Sequence, residues 1–147
     1  MKTSNKIALG LLAGGGALWG ARAWLRSRRR IELADRVVVI TGASSGHGLM
    51  IARHAAEQRA RLVLAARSED DLNQAAADLR QLGSPEILIV PTDVSDQDQC
   101  RRLIERTVEH FGQIDVLINN AGIILVGPLQ AMTVEDYRRV MAVNFWG

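Results

Sequence analysis

At 147 residues, 48% of them hydrophobic, the chain has room for one domain with a buried core. Its formal net charge of +2 conceals a division: residues 1–30 carry seven Lys/Arg and no acid, whereas residues 31–147 carry eleven arginines against sixteen acids, a net charge of −5. That acidic balance offers no basic surface for nucleic acid. The single cysteine, Cys100, excludes an intrachain disulfide and is compatible with a reducing compartment.

Ile7 to Ala21 is an uncharged stretch, preceded by Lys2 and Lys6 and followed by Arg22, Arg26, Arg28, Arg29 and Arg30. As a helix it reaches about 22 Å, short of the roughly 30 Å of a bilayer's hydrocarbon core. Trp19 and Trp24 suit the interface, and a snorkelling Arg22 extends the span to Leu25. The first expectation is a single-pass anchor over residues 7–25 with the domain facing the cytoplasm, because the arginine cluster follows the span. Two alternatives stay open. Ala21-Arg22-Ala23 has the small-x-small pattern of a cleaved signal peptide, and a peripheral basic arm on a soluble cytoplasmic protein would touch anionic lipid only. The run Gly14-Gly15-Gly16 weakens the helix. The expected division is therefore 1–30 as anchor and basic flank, and 31–147 as globular domain.

From Val37 the chain alternates between two patterns. Val37 to Ile40 is a β-branched run suited to a strand buried on both faces. A loop containing Gly42, Gly46 and Gly48 follows, then a helix from Leu49 to Gln58. Arg61 to Ala66 reads as a second strand. Ser68 caps the next helix, with Glu69, Asp70 and Asp71 in its first turn; it runs through Leu72, Ala75, Ala76 and Leu79 to Gly83. Ile87 to Val90 is the third strand. Ser95 is the expected cap of a long helix through Cys100, Leu103, Ile104, Val108 and Phe111, ended by Gly112. Cys100, among apolar neighbours, reads as a structural thiol. Asp115 to Ile118 is the fourth strand. Thr133 and Asp136 form a capping box for a last helix that runs to Gly147. Alternating β and α units with short loops predict a parallel sheet with right-handed crossovers.

A strand that enters a glycine-rich turn and leaves as a helix presents free amides and a positive dipole end, which suits a phosphate. A P-loop would need Lys and Ser/Thr after its second glycine, where His47 and Gly48 stand. The order T-G-x-x-x-G-x-G from Thr41 to Gly48, together with Asp93-Val94, Asn119-Asn120-Ala121-Gly122 and Val143-Asn144 with Gly147 three residues on, resembles the short-chain dehydrogenase/reductase family. The resemblance covers residues 36–147. It implies a Rossmann-type doubly wound α/β sheet, here strands one to four in the order 3-2-1-4, and a dinucleotide bound at the carboxyl ends of the strands.

The resemblance assigns roles position by position. Thr41, Gly42, Ser44, Ser45, Gly46, His47 and Gly48 form the phosphate loop. Asp93 and Val94 take the adenine, and Asn120, Ala121 and Gly122 border its ribose. Ala66 occupies the place where an acid would bind the 2′-hydroxyl of NAD, and Arg67 follows it, the arrangement that favours NADP(H) over NAD(H); an ordinary solvated arginine is the other reading. Asn144 matches an asparagine held to bind a water in a proton relay, against the alternative of a buried residue satisfied by backbone groups. His47 departs from the family, which places an aliphatic residue between those glycines; it either bonds the pyrophosphate or is merely tolerated. His54 and His110 read as solvated, and no His/Cys cluster has metal-ligand spacing.

The chemistry that the resemblance implies also needs a serine and a Y-x-x-x-K pair. The one tyrosine, Tyr137, has Met141 four residues on, and no lysine follows Lys6. The chain is thus expected to be the truncated, inactive cofactor-binding half of an enzyme that interconverts a carbonyl and an alcohol on a small, hydrophobic substrate. Self-association of the parent stays open. The alternative is a non-catalytic nucleotide-binding or interaction module.

Overall fold

The computed structural model describes residues 31–147, and the globular unit runs from Leu33 to Gly147. The expected anchor over residues 7–25 lies outside the described residues. Among the described residues, no helix is long and apolar enough to cross a membrane.

Four parallel strands, β1 (Val37–Thr41), β2 (Arg61–Ala66), β3 (Ile87–Pro91) and β4 (Val116–Ile118), stand in the order β3-β2-β1-β4. Val39 pairs with Val63 on one side and Leu117 on the other, and Val63 in turn with Leu88. The helices are α1 (Gly46–Glu57), α2 (Glu69–Gln81), α3 (Gln97–Phe111) and α4 (Val134–Asn144), with a 3-10 turn at Leu129–Ala131.

Both faces of the central strands are covered, which explains their unbroken apolar runs. Val38, Ile40, Leu62 and Leu64 pack with Ala52, Ala55 and Ala56 of α1 and Leu72, Ala75, Ala76 and Leu79 of α2. The alternate residues Val37, Val39, Val63 and Ala65 pack with Leu103 of α3, and Phe111 and Ile114 lie against them. The small alanines of α1 let that helix approach the sheet closely, which brings its N-terminus to the end of β1.

Several boundaries differ from expectation. Helix α1 begins at Gly46, three residues before Leu49, and Gly46 itself takes a left-handed φ of +54°. The cap of α3 is Asp96, not Ser95: its carboxylate accepts from the amides of Asp98 and Gln99. An ionised carboxylate is the stronger acceptor for helix N–H groups, and Ser95 is bound to Asp93 instead. On α3, Leu103 and Thr107 are the buried pair, whereas Ile104 and Val108 are partly exposed. Thr107 satisfies its hydroxyl on the Leu103 carbonyl at 2.7 Å. The cap of α2 by Ser68 and the capping box of Thr133 with Asp136 are present. Helix α4 stops at Asn144 and does not reach Gly147.

Strand β4 begins at Val116, because Asp115 serves as a staple at its foot. The Asp115 carboxylate accepts from the Val37 amide at 2.8 Å, Arg36 Nη1 at 2.7 Å and Gln113 Nε2 at 2.9 Å. The Val37 bond above all, then Arg36, holds its carboxyl below the usual range. On its outer side β4 has no neighbour among the described residues, and Leu117 is half-exposed.

The glycine loop has two kinds of glycine. Gly46 needs its φ but faces open space, whereas a Cβ on Gly48 would lie 2.6 Å from Asn120 Nδ2 and closer still to the Gly42 carbonyl. Gly48→Ala should therefore cost about 1–3 kcal/mol through overpacking. Gly46→Ala should cost about 1–2 kcal/mol through backbone strain alone. Urea denaturation of the two variants checks the order.

Candidate functional site

The carboxyl ends of the strands open onto a cleft of about 530 Å³. It lies between β1 and β4, where the chain leaves β1 for α1 on one sheet face while the segment after β4 runs on toward α4. Gly42, Ser44, Ser45 and His47 form one wall, Ala66 and Arg67 the end of β2, and Thr92 to Ser95 the end of β3. Asn120 to Ile123, with Arg139, Ala142 and Val143 of α4, complete it.

Two walls are tied together at Thr41. Its hydroxyl accepts from the amides of Asn120 and Ala121, each at 3.0 Å, and donates to the Ile118 carbonyl at 3.4 Å. Asn120 answers with its side-chain amide, which donates to the Thr41 carbonyl at 2.9 Å and more weakly to Gly42 at 3.4 Å. Thr41 is only 6% exposed and Asn120 and Ala121 are half-buried, so these groups have little water to fall back on. Gly42, with φ +66°, has the Ala121 Cα where its own Cβ would be.

At the opposite edge, Asp93 Oδ1 accepts from the hydroxyl of Ser95 at 2.6 Å and from its amide at 3.0 Å. The Ser95 hydroxyl first, then its amide, lowers the carboxyl's pKa from its ordinary value, helped by Arg67. Asp93 is an ionised, acceptor-only group, and Oδ2 carries no bond among the described residues. Cys100 donates to the Val94 carbonyl at 3.4 Å, and burial pushes its thiol pKa up, in keeping with a structural role.

The N-terminus of α1 stands apart electrostatically. The other three helices have a side-chain cap and an acid in the first turn. Helix α1 has neither: Ser45 makes no cap bond, and the first intrahelical bond runs from the Leu49 amide to the Ser45 carbonyl. The amides of Gly46, His47 and Gly48 therefore precede the ladder beside the cleft wall, where an anion would satisfy them. Arg67 and Arg139 also line the cleft, and neither has a carboxylate within 4.0 Å among the described residues. In a domain of net negative charge the cleft thus carries two arginines without an ion-pair partner among the described residues.

Of the residues singled out in the sequence, Gly42, Ser44, Ser45, His47, Arg67, Asp93, Val94, Asn120, Ala121 and Gly122 line the cleft. Thr41, Gly46 and Gly48 shape the loop from behind it. Asn144 does not line it, and it is exposed, not buried. Its Oδ1 accepts from the Ile123 amide and its Nδ2 donates to the Ile123 carbonyl, both at 2.9 Å. Both polar atoms are thus committed to holding a cleft-wall residue. Sequence reasoning missed Thr92, Ser95, Ile123, Arg139, Ala142 and Val143. Arg139, Ala142 and Val143 are three and four residues apart, the spacing of one helical face, but nothing local shows which face of α4 meets the cleft.

A family model described as short chain dehydrogenase matches residues 36–147. The chain is similar to an 11-beta-hydroxysteroid dehydrogenase A of Sesamum indicum, 46% identical over 117 residues that make up 79% of this chain and 34% of the relative. Among solved structures it is similar to a short chain dehydrogenase/reductase from Burkholderia phymatum in complex with NAD, with 37% identity and a TM-score of 0.75 over 80% of this chain and 41% of that one. It is also similar to an L-sorbose reductase from Gluconobacter frateurii complexed with NADPH and L-sorbose, with 32% identity and a TM-score of 0.72 over 77% and 44%. The chain belongs to the short-chain dehydrogenase family. It spans about a third of the length of the first curated relative.

Thr41→Val should leave the part-buried amides of Asn120 and Ala121 without their acceptor, at a cost of about 1–3 kcal/mol. Thr41→Ser, which keeps the oxygen, should stay within about 1 kcal/mol of the parent. Denaturation midpoints of the two variants, compared at equal slope, check this.

Proposed function

We propose that residues 31–147 are the dinucleotide-binding part of an NADP(H)-dependent dehydrogenase/reductase whose whole form interconverts a carbonyl and an alcohol. The observation that carries the reading is the uncapped start of α1 opening onto the same cleft as Arg67 and Asp93. The residues fit such a cofactor: free amides and glycines without room for a side chain for the pyrophosphate, and an ionised acceptor, Asp93, for the adenine amine. Arg67, following Ala66, would hold the 2′-phosphate, with Ser45 beside it. Asn120, Ala121 and Gly122 would border the ribose. The group, when bound, supplies hydride transfer at its nicotinamide ring.

The chain's own residues bind and orient. Asn144 acts as a positioning residue by holding Ile123, and the proton-transferring groups of the whole enzyme are not among these 147 residues. Tyr137 is half-exposed and does not line the cleft, so it takes no catalytic part. A hydrophobic substrate is supported by the name of the steroid dehydrogenase relative and by the apolar stretch over residues 7–25, which we assign to a single-pass membrane anchor with the domain on the cytoplasmic side.

Arg67→Ala should weaken NADPH binding about tenfold or more while leaving NADH nearly unchanged, since a charge-assisted phosphate contact is lost. Calorimetric titration with both nucleotides checks it, and equal losses would refute the 2′-phosphate assignment. In membranes, the chain should stay in the pellet through a carbonate wash and be freed by deleting residues 1–30. Release by high salt alone would point to an electrostatic arm.

A further inference from the structure

His47 is left over when the cleft is assigned to a dinucleotide. It stands between Gly46, which has open space where a Cβ would be, and Gly48, which has no room for one. In this stretch only residue 47 carries a side chain at the first turn of α1, and that side chain is exposed and lines the cleft. The other two histidines are occupied. His54 pairs with Glu57 at 3.1 Å and His110 with Glu86 at 2.8 Å. Among the described residues the ring of His47 has no hydrogen-bond partner, although it is the histidine nearest the unsatisfied amides of α1.

The charged groups lining the same cleft are Arg67 at the end of β2, Asp93 after β3 and Arg139 on α4. The acid is already engaged by Ser95. The cleft thus carries two unpaired guanidiniums with little opposing charge. A pyrophosphate seated on the α1 amides supplies that opposing charge, and an imidazole changes charge between about pH 5 and 8. An aliphatic side chain at this position could not respond to pH.

We propose that His47 is a ligand of the bound dinucleotide's pyrophosphate, and that it takes up a proton from solvent as the nucleotide binds. The inference rests on the dinucleotide reading above and adds to it a proton linkage. The sign follows from mass action: the protonated form binds the anion more tightly, so affinity rises as pH falls.

The test is calorimetric titration of the 147-residue chain and its His47→Ile and His47→Gln variants with NADPH at about pH 6 and about pH 8, in non-phosphate buffers of different ionisation enthalpy. The 2′-phosphate of NADPH titrates near pH 6, but it contributes equally to all three proteins, so the difference between them isolates the imidazole. Affinity of the parent relative to His47→Ile should rise about tenfold between the higher and lower pH, the size of a charge-assisted contact. The parent should also take up more protons on binding than either variant. His47→Gln, which retains a neutral donor, should keep the parent's affinity at the higher pH and lose the extra gain at the lower. Parallel pH profiles with equal proton uptake in all three would overturn the role of His47 and leave the dinucleotide site standing. Absence of saturable binding by every form would overturn both.

Discussion

The structure depends most on the contact between two chain segments nearly eighty residues apart, where Thr41 at the end of β1 meets Asn120 just past β4. Each segment leaves the sheet with backbone groups that have no ladder partner. The Thr41 hydroxyl and the Asn120 carboxamide satisfy those groups on each other's chain. Buried polar groups tolerate little else. Because the lock is made by short side chains, the backbones lie very close, and glycine is required at 42 and 48 for space rather than for turning alone. The same closeness leaves the concavity next to it lined by main chain, which is what a phosphate-bearing ligand needs.

The opposite end of the β1–β4 pair has its own closure. Asp115 takes the first amide of β1 and pairs with Arg36. Its carboxyl, lowered chiefly by that amide, contributes stability above its unfolded value of about 3.8 and loses it as pH falls through the lower folded value. One end of the pair is thus held by a charge in the surface, the other by neutral groups out of solvent. The neutral end adds no charge of its own beside the cleft.

Charge is distributed to match. Three helices begin with capped amides and acids in the first turn, which offset their dipoles locally. The fourth, α1, begins bare, and the cleft beside it carries Arg67 and Arg139 without ion-pair partners among the described residues. A domain of net charge −5 would otherwise repel a polyanionic ligand at long range, and cations close to the ligand in a concave site outweigh a diffuse, screened surface charge.

The amino-acid sequence by itself determined the order of elements, the strand cores and the glycine loop between β1 and α1. These follow from local chemistry: β-branched runs that only a two-sided sheet can bury, capping residues such as Ser68 and Thr133, and glycines at fixed spacing. It misplaced the cap of α3, because Ser95 and Asp96 are both good caps and the choice turns on Ser95 being drawn to Asp93. It matched Asn144 to a relay asparagine, with a buried residue as the alternative, and the residue is exposed and bound to the Ile123 backbone. Only the tertiary structure decided which face of α4 lines the cleft, that Arg139 stands there, and that the ring of His47 has no partner. Those facts are set by how distant segments pack, and helical periodicity gives a face without saying what it will meet.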